Sequence, residues 1–201
     1  MKWSSILLAA AALAPVAAIA VLLAPVAVLL AAEETFQIDG VHSSVIYKVK
    51  HLNIGNLYGR FNTISGTLAL DPDQPAKSSF QVEIKADSID TGNAKRDTHL
   101  KSPDFFAVKQ FPAIAFKSKE VKASGDNAFD VAGDLTMHGV TKPLTLKVVR
   151  TGSGKDPFGG GTRSGFETTF TVKRSDFGMK NMLEAISDEV QVTVSGEAVK
   201  R

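Results

Sequence analysis

Cysteine is absent from this 201-residue chain. That absence excludes disulfide bonds, thiolate nucleophiles and cysteine-ligated metal ions, so the folded part must be held together by its core alone. An excess of one charge is also missing, because 23 basic and 21 acidic residues leave a formal net charge of +2. This balance gives no indication of a nucleic-acid partner.

Local signatures of common enzymes are missing as well. No His-Glu-x-x-His motif of a zinc enzyme occurs, and the string TGSGK lacks the second glycine of the serine hydrolase elbow Gly-x-Ser-x-Gly. We therefore predict a protein that is not an enzyme and that has no cofactor or bound metal. A metal-assisted enzyme that uses His42, His51, His99 or His138 is the alternative, and it would need three or four ligands to converge.

The long hydrophobic run of the sequence lies at the N-terminus, where residues 6–32 are almost entirely apolar. Such a run predicts export, and residues 1–32 are interpreted as a signal peptide of a periplasmic or secreted protein. The run is longer than the usual signal-peptide core of about 7 to 15 residues. An uncleaved inner-membrane anchor formed by residues 6–32 is therefore the alternative. Residues 33–201 are predicted to form one domain.

Strict alternation of apolar and polar residues dominates that domain. In FQVEIKA the residues Phe80, Val82 and Ile84 fall on one face, and in FETTFTVK the residues Phe166 and Phe170 do the same. This period of two indicates strands with one buried face. Similar segments bring the count to about eight strands, separated by turn strings such as DPDQP and SGDN. The connections are too short for crossover helices, so the sheet is predicted to be antiparallel.

The predicted fold is all-β, an up-and-down barrel of about eight strands with one or two short helices, and a sandwich is the alternative. Two segments lack the alternation. Residues 52–58 are interpreted as a short helical turn, and residues 91–102 as a short helix or an ordered loop. A barrel of this size either fills with side chains or holds one small ligand, and the pattern alone does not distinguish the two.

The stretch RDTHLKSPDFF concentrates titratable groups and two phenylalanines within eleven residues. Arg96, Asp97 and His99 are interpreted as a structural clasp, because an arginine can satisfy loop carbonyls and a carboxylate at once. Phe105 and Phe106 are expected to meet the barrel interior. One of them would plug the barrel, and the other would pack under the loop or line its mouth.

Several strings, in their order along the chain, resemble the YceI-like family of secreted polyisoprenoid-binding proteins. They are HSSVIYKVKHLNIGNLYGRFNTISGTL, SIDTGNAKRDTHLKSPDFF, FPAIAF, GDLTMHGVTKPLTLKV and ISDEVQVTVSGEA, and the resemblance runs through residues 35–198. It implies a lipocalin-like barrel that is exported to the periplasm and binds a long isoprenoid lipid of the quinone or polyprenyl type. The implied role is transport, storage or a stress response, and a ligand-free structural stress protein is the alternative.

The residues expected to contact the isoprenoid tail are apolar residues predicted to face inward. They are Val45, Tyr47, Val49, Phe61, Phe80, Val82, Ile84, Phe105, Phe106, Phe116, Leu135, Met137, Leu146, Phe166, Phe170 and Val192. The polyisoprenoid lipid is the expected partner. Transient contact with a membrane and homodimerisation are the other interactions considered, and no nucleic acid is expected.

Overall fold

The computed structural model describes residues 34–71 and 74–201. The strands in this part of the chain are β1 Glu34–His51, β2 Gly55–Phe61, β3 Ile64–Leu70, β4 Ser79–Lys85, β5 Ile89–Asp90, β6 Ala113–Gly125, β7 Ala128–Met137, β8 Val140–Lys155, β9 Thr162–Lys173 and β10 Glu189–Lys200. The α-helix is α1 Ala94–Lys101, and 3-10 turns cover Pro75–Lys77, Ala86–Ser88 and Arg174–Phe177. The predicted signal peptide, residues 1–32, lies outside the described residues.

Eight of these strands close into a barrel. The hydrogen-bonded order is β10-β9-β8-β7-β6-β4-β3-β1, and β1 pairs again with β10. Every pairing is antiparallel. The predicted antiparallel barrel is therefore confirmed, and the sandwich alternative was wrong because the last strand closes on the first.

Strand β1 has two partners in succession on one side. Its beginning pairs with β3, and its second half pairs with β2, which in turn pairs with the short strand β5. The register of β1 against β10 shifts between Asp39 and Ser43, and such an irregularity bends a strand. This bend allows β2 and β5 to extend the sheet beyond the closed barrel.

The inner face of the sheet forms the core. Along β7 every second residue from Val131 to Met137 is buried, which is the burial pattern that a period of two predicts. Phe36, Val45 and Val131 are at most 1% exposed. Alternation therefore identified the buried face correctly.

The β7–β8 and β1–β2 hairpins both turn through residues with positive φ. His138 and Gly139 connect β7 to β8 with φ values of 51° and 73°, as a two-residue turn of type I′ requires. The helical turn predicted for residues 52–58 was wrong. Leu52 and Asn53 have positive φ, and the chain from Gly55 onwards forms β2, because backbone pairing with β1 outweighs the weak local pattern there.

The segments that are not strands gather mainly at one end of the barrel, which we call the α1 end. The helix α1 begins at the N-cap Asn93, whose side chain accepts from the Arg96 backbone N–H. The connection formed by residues 174–188 joins the end of β9 to the start of β10 and reaches the tip of the β1–β2 hairpin, where Leu52 N–H donates to the Ala185 carbonyl over 2.7 Å. Within the described residues no helix has the length and hydropathy of a membrane span.

Candidate functional site

The barrel encloses a cavity of about 240 Å³. The surface of its wall is almost entirely apolar, and it is formed by the inner faces of the strands together with residues from α1 and the two long connections at the α1 end. Tyr58 borders the cavity and is 60% exposed, so the cavity reaches the surface near β2. For comparison, a dry apolar cavity of about 150 Å³ is large enough to hold benzene.

The cavity is elongated along the strands. On β10 the lining residues run from Val190 to Ala198. At a rise of about 3.3 Å per residue this corresponds to roughly 26 Å of strand. An extended hydrocarbon chain fits such a shape better than a compact molecule does.

The segment 91–106 covers the cavity at the α1 end, and contacts between its own residues hold it in shape. Arg96 donates from Nε to the Thr91 hydroxyl and from Nη2 to the Thr91 carbonyl, each over 2.8 Å. Asp97 Oδ1 accepts from the Thr91 backbone N–H at 2.9 Å. His99 contacts Asp104 at 3.0 Å and packs edge-on against Phe105. The contacts of Arg96 and Asp97 fix the start of the segment through the single residue Thr91, and those of His99 hold its second half.

The two phenylalanines of this segment take different positions. Phe105 is buried, and its ring lies beneath the guanidinium of Arg174, 6.0 Å from ring centre to Cζ. Phe106 is half-buried and packs edge-on against Phe61 with ring centroids 5.5 Å apart. Both border the cavity.

Arg174 closes the α1 end from the other side. It is 5% exposed, and its four hydrogen bonds go to the carbonyls of Met179, Asn181, Ile186 and Ser187 at 2.7 to 3.1 Å. Burial lowers the pKa of this guanidinium. One side chain thereby organises the whole of the connection 179–187, whose carbonyls would otherwise need other partners.

A second arginine organises the opposite end of the barrel. Arg163 contacts Asp39 and Asp156 at 2.7 Å and Glu197 at 3.2 Å. Asp39 also contacts His42 at 2.8 Å. The hydrogen bond from Arg163, followed by that from His42, holds the pKa of Asp39 well below its usual range.

The four histidines of the alternative enzyme hypothesis occupy separate places. His42 contacts Asp39, His99 contacts Asp104, and His138 Nδ1 lies 2.9 Å from the Phe177 carbonyl. His51 is exposed at the end of β1. In the ranges 34–71 and 74–201 no three histidines or carboxylates converge in a way that could hold a metal ion.

Comparison with known proteins adds to this geometry. The sequence pattern of the YceI-like domain matches residues 36–198. The chain belongs to the YceI-like family. A UPF0312 protein of Pseudomonas aeruginosa is 42% identical over 172 residues, which cover 86% of this chain and 89% of the relative. A UPF0312 protein of Pectobacterium atrosepticum is 40% identical over 172 residues, which cover 86% of this chain and 88% of the relative.

Solved structures resemble this YceI-like barrel over most of its length. BcnA of Burkholderia cenocepacia has a TM-score of 0.73 at 25% identity, and the match covers 81% of this chain and 99% of BcnA. The YceI protein of Campylobacter jejuni has a TM-score of 0.67 at 32% identity, with 76% and 90% covered. A polyisoprenoid binding domain from Saccharophagus degradans shares the fold, with a TM-score of 0.65 at 16% identity and coverages of 83% and 98%.

All sixteen residues expected to contact a tail border the cavity of this YceI-like barrel. Their contact with a ligand stays a prediction. Of the predicted clasp, Arg96 borders the cavity too. Asp97 and His99 hold the covering segment from outside it.

Sequence reasoning missed the contribution of the connection 174–188. Arg174, Met179 and Ile186 border the cavity from this segment, which has no strand period and carries polar residues typical of a loop. The one local signal is Gly178, which has a φ of 80° and ends the 3-10 turn. A left-handed glycine indicates that the chain reverses there but not that the arginine before it is buried.

Proposed function

We propose that this YceI-like barrel binds the apolar chain of a long isoprenoid lipid in its cavity and carries or stores it without catalysing a reaction. The observation that carries this proposal is the elongated, almost wholly apolar cavity inside a closed barrel. The name of the Saccharophagus degradans domain, which has the same fold, supports an isoprenoid as the ligand. The apolar N-terminal run supports export to the periplasm.

Burial of the chain supplies the binding free energy. A buried methylene group contributes roughly 0.8 kcal/mol, so a five-carbon isoprene unit contributes up to about 4 kcal/mol before the cost of ordering the ligand. Two or three buried units therefore suffice for binding without a charged anchor. This explains how a site without a metal or an ion pair to the ligand would retain a lipid.

We infer that such a lipid enters from a membrane at the α1 end. Ile54 is 86% exposed at the tip of the β1–β2 hairpin, and Leu52 and Leu183 beside it are exposed as well. Leu57 and Ile186, three residues after Ile54 and Leu183 respectively, line the cavity. A bilayer surface would cover them while the lipid passes between bilayer and barrel.

Vesicle flotation tests the membrane step. Ile54→Asp is expected to reduce co-flotation with phospholipid vesicles. Val41→Asp is the matched control, because Val41 is also 86% exposed but lies at the register shift of β1 near the Arg163 network. Equal loss in both variants would contradict docking through the hairpin tip.

Organic extraction followed by mass spectrometry tests the ligand itself. Protein purified without detergent from the cells that express it should yield about one molecule of prenyl lipid per molecule of protein. Val192→Trp fills the cavity from β10 and should abolish this yield, whereas Thr193→Trp on the outer face of the same strand should not. A wild-type barrel that repeatedly yields no prenyl lipid would favour the ligand-free stress protein.

A further inference from the structure

Strands β8 and β9 are paired over only part of their length. Their register ends with Val149 opposite Glu167, and in the part of the chain that the structure describes no pair continues it towards the α1 end. From there residues 140–148 of β8 pair with β7, and residues 168–173 of β9 pair with β10. We call the boundary between these two ranges the seam.

The sequence of β8 along the seam is typical of an edge strand. It contains Pro143 between the turn and the paired part of the strand, together with the exposed Lys142 and Lys147. Hydrogen-bonded and open pairs alternate from the β7–β8 turn, so the nitrogen of Pro143 points away from β7 and into the seam. Proline has no N–H to donate, and both proline and lysine discourage a further strand from pairing. The sequence therefore agrees with an unpaired edge.

The cavity extends to the seam. Three inward-facing residues of each strand border it there, namely Leu144, Leu146 and Val148 of β8 and Thr168, Phe170 and Val172 of β9. The three residues of β9 are half-buried, whereas Phe166, where the two strands are paired, is buried. The inner wall is therefore less well covered along the seam than beside it.

A contact between the β7–β8 turn and the connection 174–188 closes the seam at the α1 end. His138 Nδ1 lies 2.9 Å from the Phe177 carbonyl oxygen. Phe111 packs against the His138 ring with centroids 4.9 Å apart. Because His138 comes just before β8 and Phe177 just after β9, this contact holds the two edges together. We call His138, Phe177 and Phe111 the latch.

We propose that the seam is a lateral gate, through which the apolar chain of the lipid passes sideways between β8 and β9 when the latch opens. Opening at the seam breaks the latch contacts, whereas opening between β9 and β10 would break a ladder of backbone hydrogen bonds from Glu189 to Val199. Segments with few backbone hydrogen bonds to a neighbour open at the lowest free energy. This inference rests on the proposed binding of an isoprenoid chain and adds the route that the chain takes.

Sideways entry leaves the covers of the α1 end in place. Arg174 holds the connection 179–187 by four hydrogen bonds, and Arg96 holds the start of the segment 91–106 by two. A chain that entered end-first would have to displace one of these covers. The seam instead runs along the side of the barrel and reaches the α1 end, where the proposed membrane contact lies.

The absence of cysteine makes it possible to lock the seam selectively. Thr145→Cys and Thr171→Cys would lie opposite each other on the outer face if the β8–β9 register continued, and a short bis-maleimide can join them. The matched control joins Thr171→Cys to Gln191→Cys, because Thr171 and Gln191 are already paired between β9 and β10. Each double variant is also measured before cross-linking, which shows the effect of the substitutions alone.

The measurement is the transfer of a dansyl-labelled geranylgeranyl chain between phosphatidylcholine vesicles and the protein, followed by stopped-flow fluorescence in both directions. The cross-link over the seam should slow uptake and release alike, each by at least about 10-fold, because a gate changes the barrier to transfer and not the bound state. The affinity should stay within about twofold, and the control cross-link should leave both rates within about twofold.

His138→Asn tests the latch in the opposite direction. Asparagine before Gly139 suits the type I′ turn, so the β7–β8 hairpin is kept, but the shorter side chain loses the contacts with Phe177 and Phe111. Uptake and release should both become about 3- to 10-fold faster, which corresponds to the loss of one hydrogen bond and one ring contact. The affinity should stay within about twofold of the wild type.

The outcomes separate the gate from the proposed function. If the wild type takes up no probe, the binding of an isoprenoid chain fails and the gate fails with it. If the wild type binds the probe and the cross-link over the seam leaves both rates unchanged, the gate is overturned while chain binding stands. Equal slowing by the two cross-links, or a loss of affinity as large as the loss of uptake rate, would also overturn it. If the cross-linked protein does not fold, unchanged rates in His138→Asn overturn the gate in the same way.

Discussion

Strand β9 has an arginine at each end, and the two are held in opposite ways. Arg163, the second residue of β9, contacts three carboxylates, and its side chain is 27% exposed. Arg174, the residue after β9, is 5% exposed, and its hydrogen bonds go to four backbone carbonyls. One end of the barrel is therefore closed by ion pairs in contact with water and the other by hydrogen bonds next to an apolar cavity.

The difference follows from the surroundings of each arginine. Water and salt screen the Arg163 network, so each of its ion pairs contributes little on its own. Near the cavity there is little screening, and a hydrogen bond that is lost leaves a carbonyl without a partner. We expect the α1 end to be the sensitive end of the molecule, for both stability and binding.

Replacement of Arg174 should have the largest effect. Arg174→Ala removes the partner of four carbonyls at once and should lower the free energy of unfolding by about 4 kcal/mol, measured by urea denaturation. Arg174→Lys should restore little of this, because an ammonium group cannot reproduce the planar fork. A loss below about 1 kcal/mol would show that the two ends do not differ as described.

Phe105 and Phe106 are expected to serve different roles at the α1 end, the first in stability and the second in lipid retention. Phe105→Ala should lower the free energy of unfolding by about 3 kcal/mol, because the side chain is buried against His99 and Arg174. Phe106→Ala should cost less stability, about 1 kcal/mol, and should reduce the amount of lipid that co-purifies. Thermal unfolding and lipid extraction of both variants check this. If both variants lose the same stability and retain as much lipid as the wild type, the segment supports the core and does not contact the ligand.

The clasp at the start of the segment should have a smaller effect. Arg96→Ala removes two hydrogen bonds to Thr91 and should lower stability by about 1 kcal/mol. Hydrogen exchange should become faster in residues 91–106 and stay unchanged in β7, which lies away from the clasp. Lys95→Ala, next to it on the exposed surface of α1, is the control and should change neither.

The barrel itself could be predicted because a strand reveals its buried face locally. Phe80, Val82 and Ile84 lie inside, as their spacing indicated, since the period of two is a property of the backbone. That the strands bury this face together was predictable for a similar reason, whereas the choice of a barrel over a sandwich was settled by the pairing of β1 with β10. The assignment of the buried faces needs no knowledge of which strand lies beside which.

The positions of Tyr47 and Arg174 in the cavity wall do depend on which segments are neighbours in the fold. Tyr47 was predicted to face inward, but its hydroxyl is fixed by Gly59, which is opposite only because of the register between β1 and β2. Arg174 is buried because residues distant in sequence fold over it. An arginine after a strand is normally solvated, so its local sequence predicts an exposed side chain. Strand register, and the burial of a side chain by residues distant in sequence, could not be predicted from the local pattern.

The smallest effect at neutral pH is expected at the Arg163 end, where the dependence on pH is the informative quantity. Because Arg163 and His42 hold the pKa of Asp39 below its usual value of about 3.9, the folded state favours the ionised carboxyl. This contribution is fully present above the usual pKa and is lost as the pH falls below about 4.

Asp39→Asn should therefore lower the unfolding free energy at pH 7 by less than about 1 kcal/mol, and the decline between about pH 5 and pH 2 should become shallower by the same amount. Urea denaturation across this range checks the slope. The control Asp130→Asn, on an exposed position of β7, should follow the wild-type curve. If the stability of Asp39→Asn declines as steeply in acid as that of the wild type, the ion pairs of Asp39 contribute nothing to stability, and the contrast between the two arginines becomes sharper.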